Sequence, residues 1–335
     1  MPLRLRRDPW AVDYSTSLQI DDDENADLPY VDCSIEVPCA DWQPIAPEPT
    51  PSPATVAFVD GVQRLEAHVT VEEGGETLFG ALASIAVGAV RVDADGASII
   101  QPIEVRRTLA LGNTEQVFAV AGTTAAEPIE IDGGSQMLKF TPRSSDRTEP
   151  DSWRDAIDQL RRDLEQQFGQ RLVDGSYSLV VMDGRLRLRP APPGPVVGYT
   201  KTLHRQYLPA DCPTCRATLP QLRARERSPL FLIEEKEALY SWYLRLNDPR
   251  PIDHSLAGIV RLEASASMTR DEAVELANQT ALHLPDFASS AERDPRAPQN
   301  LLPIGGLETR LRHEMGDPTW VRRAIERYLY QQTAS

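Results

Sequence analysis

The sequence has few cysteines for its length, four in 335 residues. That number is too small for a disulfide framework of the kind that stabilises small secreted proteins, so we expect reduced thiols. No apolar stretch follows the basic residues at the start of the chain, which argues against a secretory signal peptide. The longest apolar run, residues 78–90, is too short to cross a bilayer as a helix. The expectation is a cytoplasmic protein without a membrane partner.

Several catalytic motifs are also missing. No Gly-x-Ser-x-Gly stretch is present, which excludes the nucleophile motif of the α/β-hydrolases. Walker A and Gly-x-Gly-x-x-Gly phosphate-binding loops are absent too, so an ATP-driven process would need a partner that hydrolyses ATP. The five histidines are scattered along the chain, and no two have the spacing of a metal-binding pair.

The four cysteines fall into two pairs that are far apart in the sequence. Cys212 and Cys215 form a Cys-x-x-Cys pair on a loop bordered by proline, whereas five residues separate Cys33 from Cys39. A four-thiolate zinc site needs both pairs in one place, and a redox-active pair would begin a helix. We therefore expect cysteines without a chemical role.

Acidic residues dominate the sequence, with 50 Asp and Glu against 35 Lys and Arg and a net charge of −15. Residues 1–53 contain eleven acidic residues, three arginines and nine of the 28 prolines, so this segment alone contributes −8. Such a composition predicts a solvated N-terminal arm that ends in a proline-rich linker. The aromatic residues among its acids also allow an arm that docks on a basic partner; they are Trp10, Tyr14, Tyr30 and Trp42.

The sign of the charge is reversed in residues 185–227, where nine basic residues stand against two acidic ones. A local excess of +7 in an acidic protein is typical of a phosphate-binding surface. The candidate nucleic-acid contacts are the first five basic residues of this segment, Arg185, Arg187, Arg189, Lys201 and Arg205. The alternative is a solvated basic face that balances nearby acidic residues.

Hydrophobic patterns predict one mixed α/β domain over residues 54–335, after the arm. The predicted strands lie at 55–59, 62–71, 77–92, 178–182 and 258–262, and the first three form an antiparallel meander. The predicted helices lie at 153–168, 234–246, 270–283 and 319–331. A meander followed by strands that alternate with helices indicates a mixed β-sheet flanked by helices.

Two aspartates directly follow predicted apolar strands. Asp60 ends one strand and Asp183 another, and a glycine comes next in both cases. A carboxylate at a strand end can face a cleft, although Asp-Gly is also a common hairpin turn. Glu165 lies at the flank of the apolar stripe of the intervening helix, where it can reach the edge of the sheet. Asp158 is a nearby alternative, and an ion pair with Arg161 is the ordinary structural role for Glu165.

This order of a meander with Asp, a helix with Glu and a strand with Asp is the arrangement of a ribonuclease-H-like fold. In that fold three or four carboxylates hold two divalent ions. Hydrolysis of a phosphodiester needs an activated water and a stabilised leaving oxygen, and two ions about 3.5–4 Å apart meet both needs. Carboxylate oxygens are the hard ligands that Mg²⁺ and Mn²⁺ prefer.

The ordered set of motifs resembles the NurA nucleases. The resembling segments are residues 59–61, the helix of Glu165, and residues 180–184, 197–202, 242–246, 258–263 and 302–308. The resemblance implies a ribonuclease-H-like homodimer that is a manganese-dependent nuclease, with 5′-to-3′ exonuclease and single-strand endonuclease activity. It also implies that the chain resects DNA ends with HerA, a hexameric translocase, in the cytoplasm at the nucleoid.

The resemblance also implies roles for single residues. Asp60, Glu165 and Asp183 become the ligands of two Mn²⁺ or Mg²⁺ ions, and Lys201 becomes a contact to the scissile phosphate. The histidine of the archaeal closing motif has no counterpart at the matching offset, which leaves Glu308 or His313 as the fourth ligand. The alternative to a nuclease is a catalytically inactive nucleic-acid-binding or assembly protein on the same fold.

Overall fold

The structure is a computed structural model that describes residues 29–73, 76–112, 128–134, 136–145, 152–173, 175, 177–188, 194–201, 207–210, 212–235, 237–290 and 298–333. Its strands are β1 (Tyr30–Asp32), β2 (Thr55–Glu73), β3 (Glu76–Asp93), β4 (Gly96–Leu111), β5 (Ile129–Asp132), β6 (Met137–Ser144), β7 (Leu179–Asp183), β8 (Val196–Thr200), β9 (Phe231–Glu234), β10 (Ala238–Arg245) and β11 (Ile259–Ser265). Its α-helices are α1 (Trp153–Val173), α2 (Pro213–Thr218), α3 (Arg270–His283), α4 (Leu302–Glu314) and α5 (Pro318–Thr333).

The chain divides into two compact units. The first unit contains the described residues of Met1–Phe58, Val90–Ser98 and Gly169–Gly305. Its strands lie in the order β1-β9-β10-β11-β8-β7, followed by the first residues of β2. β7 and β8 are parallel. The pairs β1–β9, β9–β10, β10–β11 and β11–β8 are antiparallel. The Ser178 N–H, just before β7, donates to the Thr55 carbonyl at the start of β2 (2.9 Å).

Helix α3 covers part of this sheet and begins where the sequence predicts. Thr269 accepts a hydrogen bond from the Glu272 N–H (3.3 Å), and the Glu272 carboxylate accepts one from the Thr269 N–H (2.8 Å). These two bonds form a capping box, which satisfies backbone donors that a helix start leaves unpaired. On the packed face of α3, Thr280 accepts a hydrogen bond from the indole N–H of Trp242 on β10 (3.2 Å).

The second unit contains the described residues of Val59–Ala89, Ile99–Phe168 and Gly306–Ser335. Its strands lie in the order β2-β3-β4-β6-β5. Two-residue connections join β2 to β3 and β3 to β4, and such short connections permit only antiparallel neighbours. β4 and β6 are parallel, whereas β5 and β6 are antiparallel. Helix α5 packs on this sheet, with Val321 and Ile325 against Leu138 and Phe140.

The predicted fold class is therefore confirmed at the level of an α/β fold, in which helices flank sheets with both parallel and antiparallel strands. Three details of the prediction are wrong. The first concerns β2, which runs from Thr55 to Glu73 without interruption. Asp60 and Gly61 lie within that strand and make no turn, so the predicted strand end at Asp60 does not exist.

The second wrong detail is the end of α1 at Gly169, because the helix continues to Val173. A Cβ atom at position 169 would lie 2.7 Å from the sulfur of Met182 on β7. The glycine therefore allows the helix to pack closely on a strand and does not terminate it.

The third wrong detail is the helix predicted at 234–246, where the structure has the last residue of β9 and all of β10. β10 pairs with β9 on one side and with β11 on the other. Its aromatic residues Tyr240, Trp242 and Tyr243 favour a strand over a helix. Helix α4 was not predicted, because Pro303, Gly305 and Gly306 are typical of a loop. Pro303 falls in the first turn of α4, where proline is tolerated.

Some described residues of the predicted N-terminal arm pack against the first unit, whereas others, residues 48–52 among them, are exposed. β1 pairs with β9, and the side chain of Trp42 is buried with its indole N–H on the Cys33 carbonyl (2.7 Å). Both oxygens of Glu36 accept hydrogen bonds from the buried guanidinium of Arg227, each at 2.8 Å. Trp10 and Tyr14 lie outside the described residues, and the domain boundary at residue 54 remains a prediction.

Among the helices in the described parts of the chain, none has the length and apolar composition that crossing a membrane requires.

Candidate functional site

Asp60 is an acidic residue in the interior of β2, and only 6% of it is exposed. Its neighbours Phe58, Val59 and Val62 are buried as well. The carboxylate accepts a hydrogen bond from the N–H of Gly61 (2.8 Å). Because a buried carboxylate is costly unless donors or cations compensate it, the surrounding charges decide what Asp60 can do.

Glu165 lies on the buried face of α1, next to Leu164, and is 8% exposed. A Cβ atom at position 61 would lie 2.5 Å from Glu165 Oε1 and 2.9 Å from a methyl group of Val87. Only glycine at position 61 leaves this space, so the residue after Asp60 allows the Glu165 carboxylate to lie against β2. The structure brings Asp60, Gly61 and Glu165 together within the second unit.

Arg161 is the cation of this carboxylate cluster, which we define as Asp60, Asp158, Arg161 and Glu165. Its Nη1 atom donates to Glu165 Oε1 (2.5 Å). Burial alone lowers the pKa of Arg161, but the negative charges of Glu165, Asp60 and Asp158 outweigh burial and raise that pKa above its ordinary value. Three carboxylates and one guanidinium therefore lie close enough to interact, and carboxylate oxygens suit Mg²⁺ or Mn²⁺.

Glu66, another buried acid on β2, has the opposite charge balance. Arg64 donates to both of its oxygens at 2.8–3.1 Å. Burial lowers the pKa of the nearby Arg107, and the negative charge of Glu66 only partly offsets this effect. Arg64 and Arg107 also donate to the carbonyl groups of Gly316 and Met315. Two guanidiniums thus neutralise one carboxylate, which is a structural arrangement.

In the first unit, Asp183 ends β7 and Lys201 directly follows β8. The parallel register pairs Asp183 with Tyr199 and so brings Lys201 close to the aspartate. Lys201 Nζ donates to Asp183 Oδ2 (2.6 Å) and to Asn300 Oδ1 (3.1 Å). An ammonium group has three N–H donors, and these two described partners engage two of them.

The chain turns sharply after Asp183. Gly184 has a φ of +91°, and a Cβ atom at Gly198 would lie 2.4 Å from the backbone nitrogen of Leu186. The two glycines therefore allow the segment after β7 to fold back against β8. Tyr199 is buried beside Asp183; burial and then the charge of Asp183 raise the pKa of its phenol well above the ordinary value, so the phenol stays protonated.

The two candidates for a fourth ligand differ in burial. Glu308 lies on the packed face of α4 and is 6% exposed, whereas His313 is exposed. The helix packs on β3, because a Cβ atom at Gly88 would contact Leu307 and Leu311. Glu308 accepts a hydrogen bond from Arg312 (2.9 Å). Burial within the second unit favours Glu308 over His313.

A third charged group, which sequence reasoning missed, lies in the core of the first unit. Glu263 is fully buried and accepts hydrogen bonds from Arg261 (2.6 Å) and from the Leu186 N–H (2.9 Å), and Arg185 lies 3.5 Å away. Burial alone raises the pKa of Glu263, but the charges of Arg261 and Arg185 and the two hydrogen bonds lower it below its ordinary value. The sequence does contain a signal for this ion pair. Arg261 and Glu263 lie two positions apart, on the same face of a largely apolar strand.

Among the described basic residues of segment 185–227, Arg185, Lys201, Arg225 and Arg227 are in ion pairs within the first unit. Arg185 also binds Glu235 (2.8 Å), Arg227 binds Glu36, and Arg225 pairs with Asp286. These contacts match the alternative of a basic face that balances nearby acids. Of the predicted nucleic-acid contacts, Arg187 is exposed, Arg185 and Lys201 are in ion pairs, and Arg189 and Arg205 lie outside the described residues.

The cysteines are not isolated loop residues. Across the described ranges, one group of three or more Cys, His, Asp or Glu side chains has all its ligand atoms within 4.8 Å of one another, and it consists of Cys39, Cys212 and Cys215. Cys212 and Cys215 are joined by a disulfide, so the expectation of reduced thiols does not hold for this pair. The pair also lies at the start of α2, contrary to the predicted loop.

Comparisons with known proteins assign no family to the chain. No protein-family model matches it, and no curated protein is significantly similar in sequence. The crystal structure of the NurA nuclease from Sulfolobus solfataricus matches 87% of this chain and 88% of its own, with a TM-score of 0.48 and 11% sequence identity. A similarity at this level carries no argument about fold or function, which have to come from the residues themselves.

Proposed function

We propose that this chain is a divalent-metal-dependent nuclease that hydrolyses phosphodiester bonds in DNA. The carboxylate cluster is the observation that carries the proposal. It contains two buried carboxylates, Asp60 and Glu165, whose negative charges both act on Arg161, and Gly61 leaves the space in which the Glu165 carboxylate lies against β2.

The proposed metal ligands are Asp60, Glu165 and Asp183 on a ribonuclease-H-like fold, with Glu308 as the fourth acidic residue. We propose two bound ions per active site, Mn²⁺ or Mg²⁺. They would supply an activated water and stabilise the leaving oxygen.

The chain's own residues have separate roles in this proposal. Arg161 holds the Glu165 carboxylate in one orientation through its hydrogen bond. Lys201 donates a hydrogen bond to Asp183. Its third N–H group donates to a phosphate oxygen of the substrate. Tyr199 stays neutral and keeps further negative charge away from Asp183.

The resemblance of the motifs to NurA nucleases extends the proposal to the biological setting. The proposed substrates are single-stranded DNA and duplex ends, cut as a 5′-to-3′ exonuclease and a single-strand endonuclease. The proposed assembly is a homodimer that works with a HerA-type hexameric translocase. Because the sequence has no Walker A motif, that partner would supply the ATP hydrolysis.

The test uses Glu165→Gln, with Asp163→Asn as the matched control on the same helix. Asp163 pairs with Arg143 at 3.2 Å and lies outside the carboxylate cluster. We expect Glu165→Gln and Asp60→Asn to lower Mn²⁺-dependent cleavage of labelled linear DNA by at least about a hundredfold, the scale on which one catalytic group acts. Asp163→Asn should cleave like the wild type.

DNA binding in Ca²⁺, measured by fluorescence anisotropy, separates the two functional hypotheses. A nuclease variant that no longer cleaves should still bind DNA with the wild-type salt dependence. Unchanged cleavage by both Glu165→Gln and Asp60→Asn would rule out the proposed site. A wild-type protein that binds DNA but does not cleave it in Mn²⁺ or in Mg²⁺ would favour the alternative of an inactive nucleic-acid-binding protein.

A further inference from the structure

All four cysteines of the chain lie in one region of the first unit, although 173 residues separate Cys39 from Cys212. The sulfur atoms of Cys39, Cys212 and Cys215 lie within 4.8 Å of one another. Cys33 belongs to the same core cluster as Cys212 and Cys215, and Cys39 packs against that cluster. All four cysteines of the chain therefore lie in or against one core cluster of the first unit.

The three sulfurs are close enough together for a zinc site once the disulfide between Cys212 and Cys215 is reduced. Zn–S bonds of about 2.3 Å at tetrahedral angles place the ligand sulfurs about 3.8 Å apart. Cys212 is the residue before α2, and Cys215 lies in the first turn of that helix, so the helix start fixes both side chains. Cys39 begins a short 3₁₀ helix that contacts α2.

Cys33 is in a position to complete the set. It is buried, and together with Cys39 and Cys212 it lines a cavity of about 590 Å³. Its carbonyl accepts the indole N–H of Trp42, which fixes the backbone of Cys33. Its sulfur is outside the 4.8 Å group, so the side chain has to rotate toward the other three.

The surroundings suit a metal bound by thiolates. The packed neighbours are apolar and include Trp42, Leu208 and Leu219, which would keep water away from the sulfurs. The guanidinium of Arg216 also lines the cavity and is fixed by two hydrogen bonds to the Leu208 carbonyl (2.9 and 2.8 Å). A zinc ion with four thiolates carries a net charge of −2, and a nearby arginine compensates part of it.

We propose that Cys33, Cys39, Cys212 and Cys215 form a structural zinc site that fastens the N-terminal segment to α2. The metal-bound form requires the Cys212–Cys215 disulfide to be reduced. A dithiol reductant transfers two electrons and two protons to this disulfide, which yields two thiols and the oxidised dithiol. Zinc then binds the four sulfurs, and each cysteine releases one proton.

Zinc and manganese would occupy different sites in this protein. Thiolates select zinc, whereas carboxylates suit manganese and magnesium. The zinc site is therefore independent of the nuclease proposal, and the two can fail separately.

The first experiment measures the metal content of the full-length protein after reduction with dithiothreitol, incubation with Zn²⁺ and gel filtration. We expect one zinc per chain by inductively coupled plasma mass spectrometry. Cys39→Ser and Cys215→Ser should lose it. Ser34→Ala, a change in the same cavity wall that removes no thiol, should retain it. Failure of the fully reduced wild type to retain zinc, or retention by both cysteine variants, would overturn the proposal.

Two further measurements address the fourth ligand and the structural role. Co²⁺ in place of zinc gives thiolate-to-metal absorption that depends on the number of sulfur ligands, so Cys33→Ser should weaken these bands. An unchanged spectrum would remove Cys33 from the site. Chelation should lower the melting temperature, and Zn²⁺ but not Mn²⁺ should restore it; equal rescue by Mn²⁺ would contradict a thiolate site.

Discussion

Glycine at position 61 determines whether the Glu165 carboxylate can lie against β2 in the second unit. A methyl group there would lie 2.5 Å from Glu165 Oε1 and 2.9 Å from Val87. Steric contacts of this kind between packed groups usually cost about 1–3 kcal/mol, because neighbouring side chains have to shift. The side chain that has to shift here is the proposed metal ligand.

We expect Gly61→Ala to lower the free energy of unfolding by about 1–3 kcal/mol in urea titrations and to remove most of the cleavage activity. Gly306→Ala is the matched control, because nothing lies within 4 Å of a Cβ atom at that position in α4. Replacing a helical glycine there should stabilise the protein by about 0.5–1 kcal/mol. A Gly61→Ala protein with full stability and activity would show that the close approach is not required.

Glu263 is a residue whose burial has a measurable dependence on pH. Its pKa is lower in the folded protein than its ordinary value of 4.5, because Arg261 and Arg185 outweigh the effect of burial. A carboxyl group of this kind stabilises the folded state above its unfolded pKa. That contribution is lost as the pH falls from about 4.5 through the folded pKa.

Glu263→Gln should therefore cost about 3–5 kcal/mol at pH 7, because it leaves the buried guanidinium of Arg261 without its carboxylate. The difference from the wild type should shrink as the pH falls below 4.5, because the unfolded wild type then binds a proton at Glu263 more readily than the folded one does. Urea titrations between pH 7 and pH 3.5 measure this difference, with Glu275→Gln on the exposed face of α3 as the control. A difference that is constant with pH would exclude the ionised carboxylate as its cause.

At the scale of secondary-structure elements, local signals predicted α3 and β11 well. Thr269 and Glu272 form the capping box that marks the start of α3, and β11 has an apolar run of the expected length. These signals involve only residues that are close together in the sequence. They can therefore be recognised without knowledge of the tertiary structure.

The elements that were predicted wrongly depend on partners that are distant in the sequence. Asp60-Gly61 has the composition of a turn, yet β2 continues because strands on either side pair with it. Gly169 has the composition of a helix end, and its role depends on Met182. Residues 238–245 have apolar residues at both helical and strand spacing, and pairing with β9 and β11 decides between the two.

The candidate site shows the same limit. Sequence reasoning selected Asp60, Glu165 and Asp183 and noted Arg161 as a possible partner. It could not determine that Arg161 is the cation of the cluster, that Lys201 pairs with Asp183, or that the four cysteines lie together. Each of these contacts except the first joins residues at least 18 positions apart in the chain.

At the scale of the whole molecule, the N-terminal segment is part of the fold. Glu36 neutralises the buried Arg227, and Trp42 fills the core beside Phe231 at a ring distance of 6.2 Å. Deletion of residues 1–53 would remove both. If this deletion weakened binding to a translocase, the cause would include damage to the first unit as well as the loss of a docking contact.

We expect Glu36→Ala to lower the free energy of unfolding by about 3–5 kcal/mol, because the buried Arg227 would be left without a carboxylate partner. Glu48→Ala, in the same acidic segment but outside the described ion pairs, should have an effect within about 0.5 kcal/mol. Urea titrations of both variants provide the comparison. Equal stability of the two variants would mean that the segment contributes little to the first unit.

The pairing of β1 with β9 also has a consequence for protein synthesis. Tyr30 pairs with Glu234, which the ribosome adds 204 residues later. At about 5–20 residues per second, the N-terminal segment has to wait about 10–40 s for its partner strand. During that time the polypeptide that emerges first has no sheet to join, and Trp42 has no core to enter. The nascent chain therefore completes its first unit only after most of the molecule has been translated.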